Sequence, residues 1–218
     1  MISGIRNVLF DLDGTLVDSS GTVGAALEYA LERVGAGGAG PVPVRSFIGK
    51  PLLDILREDF GLDEGLATEA IDHYRGHYDR LGMEGTEIYP GVPETLSTLK
   101  ASGYRLYLAT VKPTPIAERV LQLSGLRSSF DGVAGASMGP ERRDKSRVIA
   151  HALDRFGLKP DVSLMVGDRR QDIAGARENG LAAIGVAYGF GSREELGAEN
   201  PARIVERSSE IVSLLSAD

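Results

Sequence analysis

The chain has no cysteine and no tryptophan, and only three histidines: His73, His77 and His151. Without cysteine there is no disulfide and no thiolate ligand, so any metal must sit on oxygens or on those imidazoles. No apolar run reaches the roughly 18 residues that a membrane-spanning helix needs. The N-terminal stretch lacks a basic start followed by a long apolar core, so it does not read as a signal peptide, and a cytoplasmic protein is expected. Positive charge is also scarce: 24 basic residues stand against 31 acidic ones, for a net charge of −7. An acidic surface argues against nucleic acid and anionic membranes as partners. It does not oppose a small anionic substrate, because a bound cation reverses the local field.

The 218 residues suffice for one or two domains with a sizeable core. There is no internal repeat, and the biased stretch is the Gly/Ala loop at 35–40. Short apolar runs recur at 8–10, 106–109, 133–136, 164–166 and 182–186. Most lack polar alternation, as strands buried on both faces of a parallel sheet do. Helix-like segments lie between the later runs, at about 93–102, 115–124, 146–156 and 172–179. Gly103, Gly125, Gly157 and Gly180 stand where those helices would end. The alternation predicts a doubly wound, Rossmann-like α/β core with a parallel sheet. The interval 18–86 breaks the rhythm, reading as helices without a strand. The expected division is an α/β core of 1–17 and 87–218 with an inserted all-helical domain of 18–86.

In open α/β sheets ligands bind beyond the carboxyl ends of the strands. Those ends carry Asp11 and Asp13, then Thr110 followed by Val111 and Lys112, then Lys145, then Asp168 and Asp172. Gathered carboxylates need a hard cation, and Mg2+ fits oxygen ligands while leaving a position for a substrate phosphate. Thr110, Lys145 and backbone N–H groups after Asp11 and Thr110 could hold other phosphate oxygens. Each residue alone has an ordinary reading as a cap, turn or solvated side chain. His73 and His77 are four residues apart on a helical stretch, but no third ligand follows in frame, so a structural role is expected.

The stretch "DLDGT" at 11–15, Thr110 in "LATVK", Lys145, and "GDRRQD" at 167–172 appear in order. Together they resemble the four motifs of the haloacid dehalogenase superfamily, in its phosphatase branch. The inserted helices resemble the family's cap domain, and "RSFIGKPLLDIL" is similar to the cap of phosphoglycolate-phosphatase-like members. The resemblance implies a phosphatase acting on a small phosphorylated metabolite. Asp11 would be the nucleophile and Asp13 the general acid and base. Mg2+ would be held by Asp11, the Asp13 carbonyl and Asp168, with Asp172 in support. Thr110 and Lys145 would complete the catalytic set, and Thr110, Val111, Lys112 and Lys145 would meet the phosphate. Relatives often carry Lys-Pro at the third motif where Ser146 stands here, so Lys112 competes with Lys145. Arg45 and Lys50 flank "FIGK" and are candidates for substrate contact, against plain surface solvation. Phosphoglycolate, a nucleoside monophosphate, pyrophosphate and a sugar phosphate all fit. A sugar phosphomutase, a noncatalytic phosphate-binding relative and a phospho-acceptor signalling domain are the alternatives. A site complete in one chain implies a monomer.

Overall fold

Residues 2–38, 42–81, 84–137 and 141–215 are described in the computed structural model of the chain. The chain divides into two compact units, Met1–Asp18 with Ile88–Asp218, and Ser19–Glu87. The first begins with β1 (Asn7–Phe10), and the chain leaves it through β2 (Val17–Asp18). The second unit holds α1 (Ser20–Arg33), α2 (Val44–Phe47), α3 (Leu52–Asp54) and α4 (Glu64–Leu81). The chain returns through β3 (Glu87–Ile88) to α5 (Val92–Ala101), β4 (Arg105–Pro113), α6 (Thr114–Leu123) and β5 (Gly132–Ala136). Then come α7 (Lys145–Phe156), β6 (Ser163–Gly167), α8 (Arg170–Glu178) and β7 (Ala182–Val186). It closes with α9 (Arg193–Ala198), β8 (Arg203–Val205) and α10 (Ser209–Leu215). Among the described residues no helix is long and apolar enough to cross a membrane.

The first unit is built on a six-stranded sheet in the order β5-β4-β1-β6-β7-β8, parallel throughout. This is a doubly wound order, in which the chain goes outward from β1 first to one side and then to the other. β1, β5 and β6 are buried along their whole length, which explains their apolar runs. Leu9, Ala109 and Met165 from the sheet meet Val148, Ile149 and Ile173 from α7 and α8 in one core. α7 is fixed at both ends. Asp144 accepts the Arg147 N–H at 2.9 Å, and Gly157 ends the helix at φ +62°. Lys145 is thereby held at the first position of the helix.

The helical unit has its own core of Leu27, Ala30, Leu31, Phe47, Ile55, Leu56, Ala67 and Ala70. Its two chain ends meet through glycine, since a Cβ at Gly21 would collide with the Gly85 carbonyl.

Three expectations change. Within the interval expected to be helical, "LLDILREDFG" at 52–61 reads as one helix by sequence but is not one α-helix, because α3 passes at Ile55–Asp59 into a wider π-helical turn ahead of Gly61 at φ +68°. α2, α9, β8 and α10 were not foreseen, being short and weakly periodic. β1 ends at Phe10, so Asp11 and Asp13 lie in the turn beyond it and strand alternation does not orient them. Of the Gly/Ala loop, residues 39 and 40 lie outside the described residues.

Asp131, just before β5, accepts the Leu106 N–H and the Lys100 ammonium, each at 2.8 Å. Partial burial opposes the shift, but Lys100 and that N–H outweigh it and hold the carboxyl below the usual range. A depressed folded-state value adds stability above the ordinary aspartate pKa and loses it as pH falls through the folded value. Asp131→Ala is therefore expected to cost up to about 1 kcal/mol near neutrality, solvent screening included, and less toward acid, read from urea unfolding at several pH values.

Candidate active site

The order of the sheet reverses at β1, flanked by β4 and β6, and the polar residues gather beyond the carboxyl ends of these strands. Asp11 follows β1 and donates its N–H to the Val166 carbonyl at 2.9 Å. Asp168 follows β6, and Asp172 lies in the first turn of α8. One oxygen from each of these three buried carboxylates falls within 4.8 Å of the others. Lys145 reaches between two of them. Its Nζ is 2.8 Å from Asp11 Oδ1 and 2.8 Å from Asp172 Oδ1, and it donates to the Ala109 carbonyl at 2.9 Å. The ammonium thus has three oxygens within 2.9 Å. Asp172 is set by its other oxygen, which accepts the Arg169 N–H at 2.9 Å.

Asp13 has a lysine of its own. Lys112 Nζ lies 2.8 Å from Asp13 Oδ2. β4 is irregular between Thr110 and Pro113, and Gly135 makes room for it, since a Cβ there would strike the Lys112 carbonyl. Such a bulge re-aims a side chain. Thr110 is buried beside it, and its hydroxyl accepts the Lys112 N–H at 3.2 Å. Val111 is half-buried in the same segment.

Burial dominates the electrostatics. It pushes the Asp11 carboxyl up to about 6, with Lys145 opposing and Asp172 adding to the rise. It pushes Asp168 well above the usual carboxylate range, with Asp172 and Asp11 adding their charges. For Lys145 burial acts downward, but Asp11 and Asp172 outweigh it and raise the ammonium's pKa. One ammonium among three buried carboxylates leaves negative charge uncompensated. Oxygen-only donors with that excess fit a hard divalent cation.

The residues foreseen at the strand ends, Asp11, Asp13, Thr110, Val111, Lys112, Lys145, Asp168 and Asp172, all belong to the α/β unit. Arg45 and Lys50 belong to the helical unit. There Arg45 is exposed on α2, and Lys50 pairs with Asp59 at 3.3 Å above the Phe47 ring. His77 stacks on Tyr29 at 4.1 Å and His73 reaches Glu69 at 3.7 Å; neither joins a metal-ligand cluster among the described residues. Sequence reading missed the surroundings of Asp168: Thr15, Tyr188 and Phe190. The available signal was the close pair Gly189 and Gly191 after a strand-like run.

Residues 8–186 match the haloacid dehalogenase-like hydrolase family. A 5'-nucleotidase of Pseudomonas aeruginosa is 39% identical over 195 residues, covering 89% of this chain and 88% of that protein. A phosphoglycolate phosphatase of Vibrio vulnificus is 30% identical over 219 residues, covering 97% of this chain and 96% of that protein. The structure of Mycobacterium tuberculosis protein tyrosine kinase A is similar with a TM-score of 0.81 at 32% identity, covering 97% of this chain and 99% of that one. The chain belongs to the haloacid dehalogenase superfamily, in its phosphoglycolate-phosphatase-like branch, and is a hydrolase.

Removing one partner from a buried ion pair strands the other charge. Lys145→Met is expected to cost about 3–5 kcal/mol in urea unfolding of the metal-free protein.

Proposed function

We propose that the chain is a Mg2+-dependent phosphatase that hydrolyses a small phosphate monoester through an aspartyl-phosphate on Asp11. The supporting observation is the cluster of Asp11, Asp168 and Asp172, with the Lys145 ammonium between Asp11 and Asp172 and a second carboxylate–lysine pair, Asp13 and Lys112, two residues along the chain from Asp11. Asp11, Asp168 and Asp172, with the Asp13 carbonyl, would hold Mg2+. When bound, the ion would offset charge on the phosphoryl oxygens and on these carboxylates.

Lys145 fixes the Asp11 oxygen for attack on phosphorus. As the new O–P bond forms, the ester P–O bond breaks, and Asp13 gives its proton to the leaving oxygen. Water then attacks the aspartyl-phosphate while Asp13 takes a proton from it. Inorganic phosphate leaves and the Asp11 carboxylate is restored. Thr110, the backbone at Val111, and Lys112 and Lys145 would receive the phosphate oxygens. The helical unit is proposed as the cap that selects the substrate, with Arg45 and Lys50 as contacts. Phosphoglycolate or a nucleoside 5'-monophosphate is the favoured substrate, on the strength of the named relatives. All of the proposed catalytic groups lie in one chain, so a monomer suffices.

A second reading has the aspartyl-phosphate passed to an acceptor other than water, as in a mutase or kinase. The likeness to the mycobacterial tyrosine kinase favours it.

Phosphate release from a panel of small esters, including both named classes, tests the proposal. With Mg2+ release is expected, and with EDTA none. Asp11→Asn should lower turnover by roughly 10^3-fold or more while the protein stays folded. Near-full activity in Asp11→Asn, or in EDTA, would refute it. Isomerisation or transfer to an added acceptor without phosphate release would establish the second reading. Arg45→Ala and Lys50→Ala are expected to raise KM for the preferred ester with kcat little changed.

A further inference from the structure

Asp168 is held differently from its two neighbours. Asp11 and Asp172 share the Lys145 ammonium. The hydrogen bonds to the Asp168 carboxylate come from neutral donors on two loops. The Thr15 hydroxyl donates to Oδ1 at 3.2 Å, and the Phe190 N–H donates to Oδ2 at 2.8 Å. Behind Thr15 stands Tyr188, whose hydroxyl donates to the Thr15 carbonyl at 2.9 Å. The Tyr188 ring is braced by Tyr89, with centroids 5.0 Å apart. Glycine lets this loop approach. A Cβ at Gly189 would strike the Asp168 side chain and the Gly14 carbonyl, and one at Gly191 would strike the Asp168 carbonyl.

We infer that the loop Tyr188–Gly191, acting with Thr15, is a positioning element that aims the Asp168 carboxylate and so sets the affinity of the site for its divalent cation. The inference rests on the metal reading above. A carboxylate with one hydrogen bond to each oxygen has a fixed plane and still has lone pairs for a cation. Outer partners of this kind typically account for 10–100-fold in metal affinity. The Tyr188 hydroxyl bonds the Thr15 carbonyl and not the carboxylate, so Tyr188 is a positioning residue acting through Thr15.

Mg2+ titration calorimetry on the whole chain tests this, with the metal-free unfolding midpoint measured in parallel. Tyr188→Phe removes only the hydroxyl and is expected to weaken Mg2+ binding roughly tenfold. Thr15→Val, nearly isosteric, should weaken it by more, toward 100-fold. Thr15→Ser keeps the hydroxyl and should remain within about twofold of wild type. A merely structural role would lower the unfolding midpoint and leave the Mg2+ Kd unchanged. Tight wild-type binding with an unchanged Kd in both Tyr188→Phe and Thr15→Val would overturn this inference alone. No Mg2+ binding by the folded wild type would overturn the metal reading and this inference with it.

Discussion

A single buried ammonium makes it possible to place carboxylates at the end of an apolar sheet. Taking a charge out of water costs several kcal/mol even after relaxation. Lys145 offsets this for Asp11 and Asp172 because it lies within hydrogen-bond distance of both and gives its third proton to Ala109. Asp168 is the harder case. Like charges 4.8 Å apart repel by about 3 kcal/mol at an effective dielectric constant of 20, and Asp168 faces two of them. Lys145 pairs with Asp11 and Asp172 instead. The remaining excess charge can be removed only by a proton or by a cation.

The backbone makes that crowding possible. The reversal of strand order at β1 brings segments far apart in sequence to one edge, and apolar strands let their ends pack closely. Gly14 turns the chain after Asp11–Leu12–Asp13 at φ +84°, where any Cβ would run into the Asp168 carboxylate. Here glycine is required twice over, by dihedral and by space. The irregularity in β4 sends Lys112 to Asp13, while Lys145 goes to Asp11. Two aspartates one residue apart thus have separate lysines, and this separation suits two different tasks.

Much of this could be read from the sequence, where a residue type carried its own signal. Val8–Phe10 and Leu164–Val166 are uniformly apolar, as doubly buried strands are, with Asp11 directly after the first and Asp168 after the second, past Gly167. The helix ends at Gly103, Gly125, Gly157 and Gly180 are all at positive φ, where glycine is favoured. Other features had no such signal. The Phe190 N–H that holds Asp168 is a backbone group, and every residue except proline has one. The pairing of Lys112 with Asp13 depends on a bulge that no periodicity shows. β8 and α9 are too short to repeat a pattern. In the helical unit the helices were legible as an interval without strands, but their core was not. Contacts such as Lys50 with Asp59 depend on the reach of exposed side chains, which composition does not encode.

Protons and a divalent cation are alternatives at the same place. Burial pushes the Asp11 carboxyl up to about 6 and the Asp168 carboxyl well above the usual carboxylate range, so both hold protons more readily than exposed carboxylates do. A raised carboxylate value works against folding as pH rises from the unfolded value through the folded one. Without a cation the fold therefore loses stability as pH rises from the ordinary carboxylate range toward neutrality. A bound cation reverses this, because it favours the ionised carboxylates and displaces their protons. It would also leave Asp11 ionised, the form that the proposed attack on phosphorus requires. The same excess of negative charge that strains the cluster would give it affinity for a divalent ion and, with the ion bound, would keep the proposed nucleophile deprotonated.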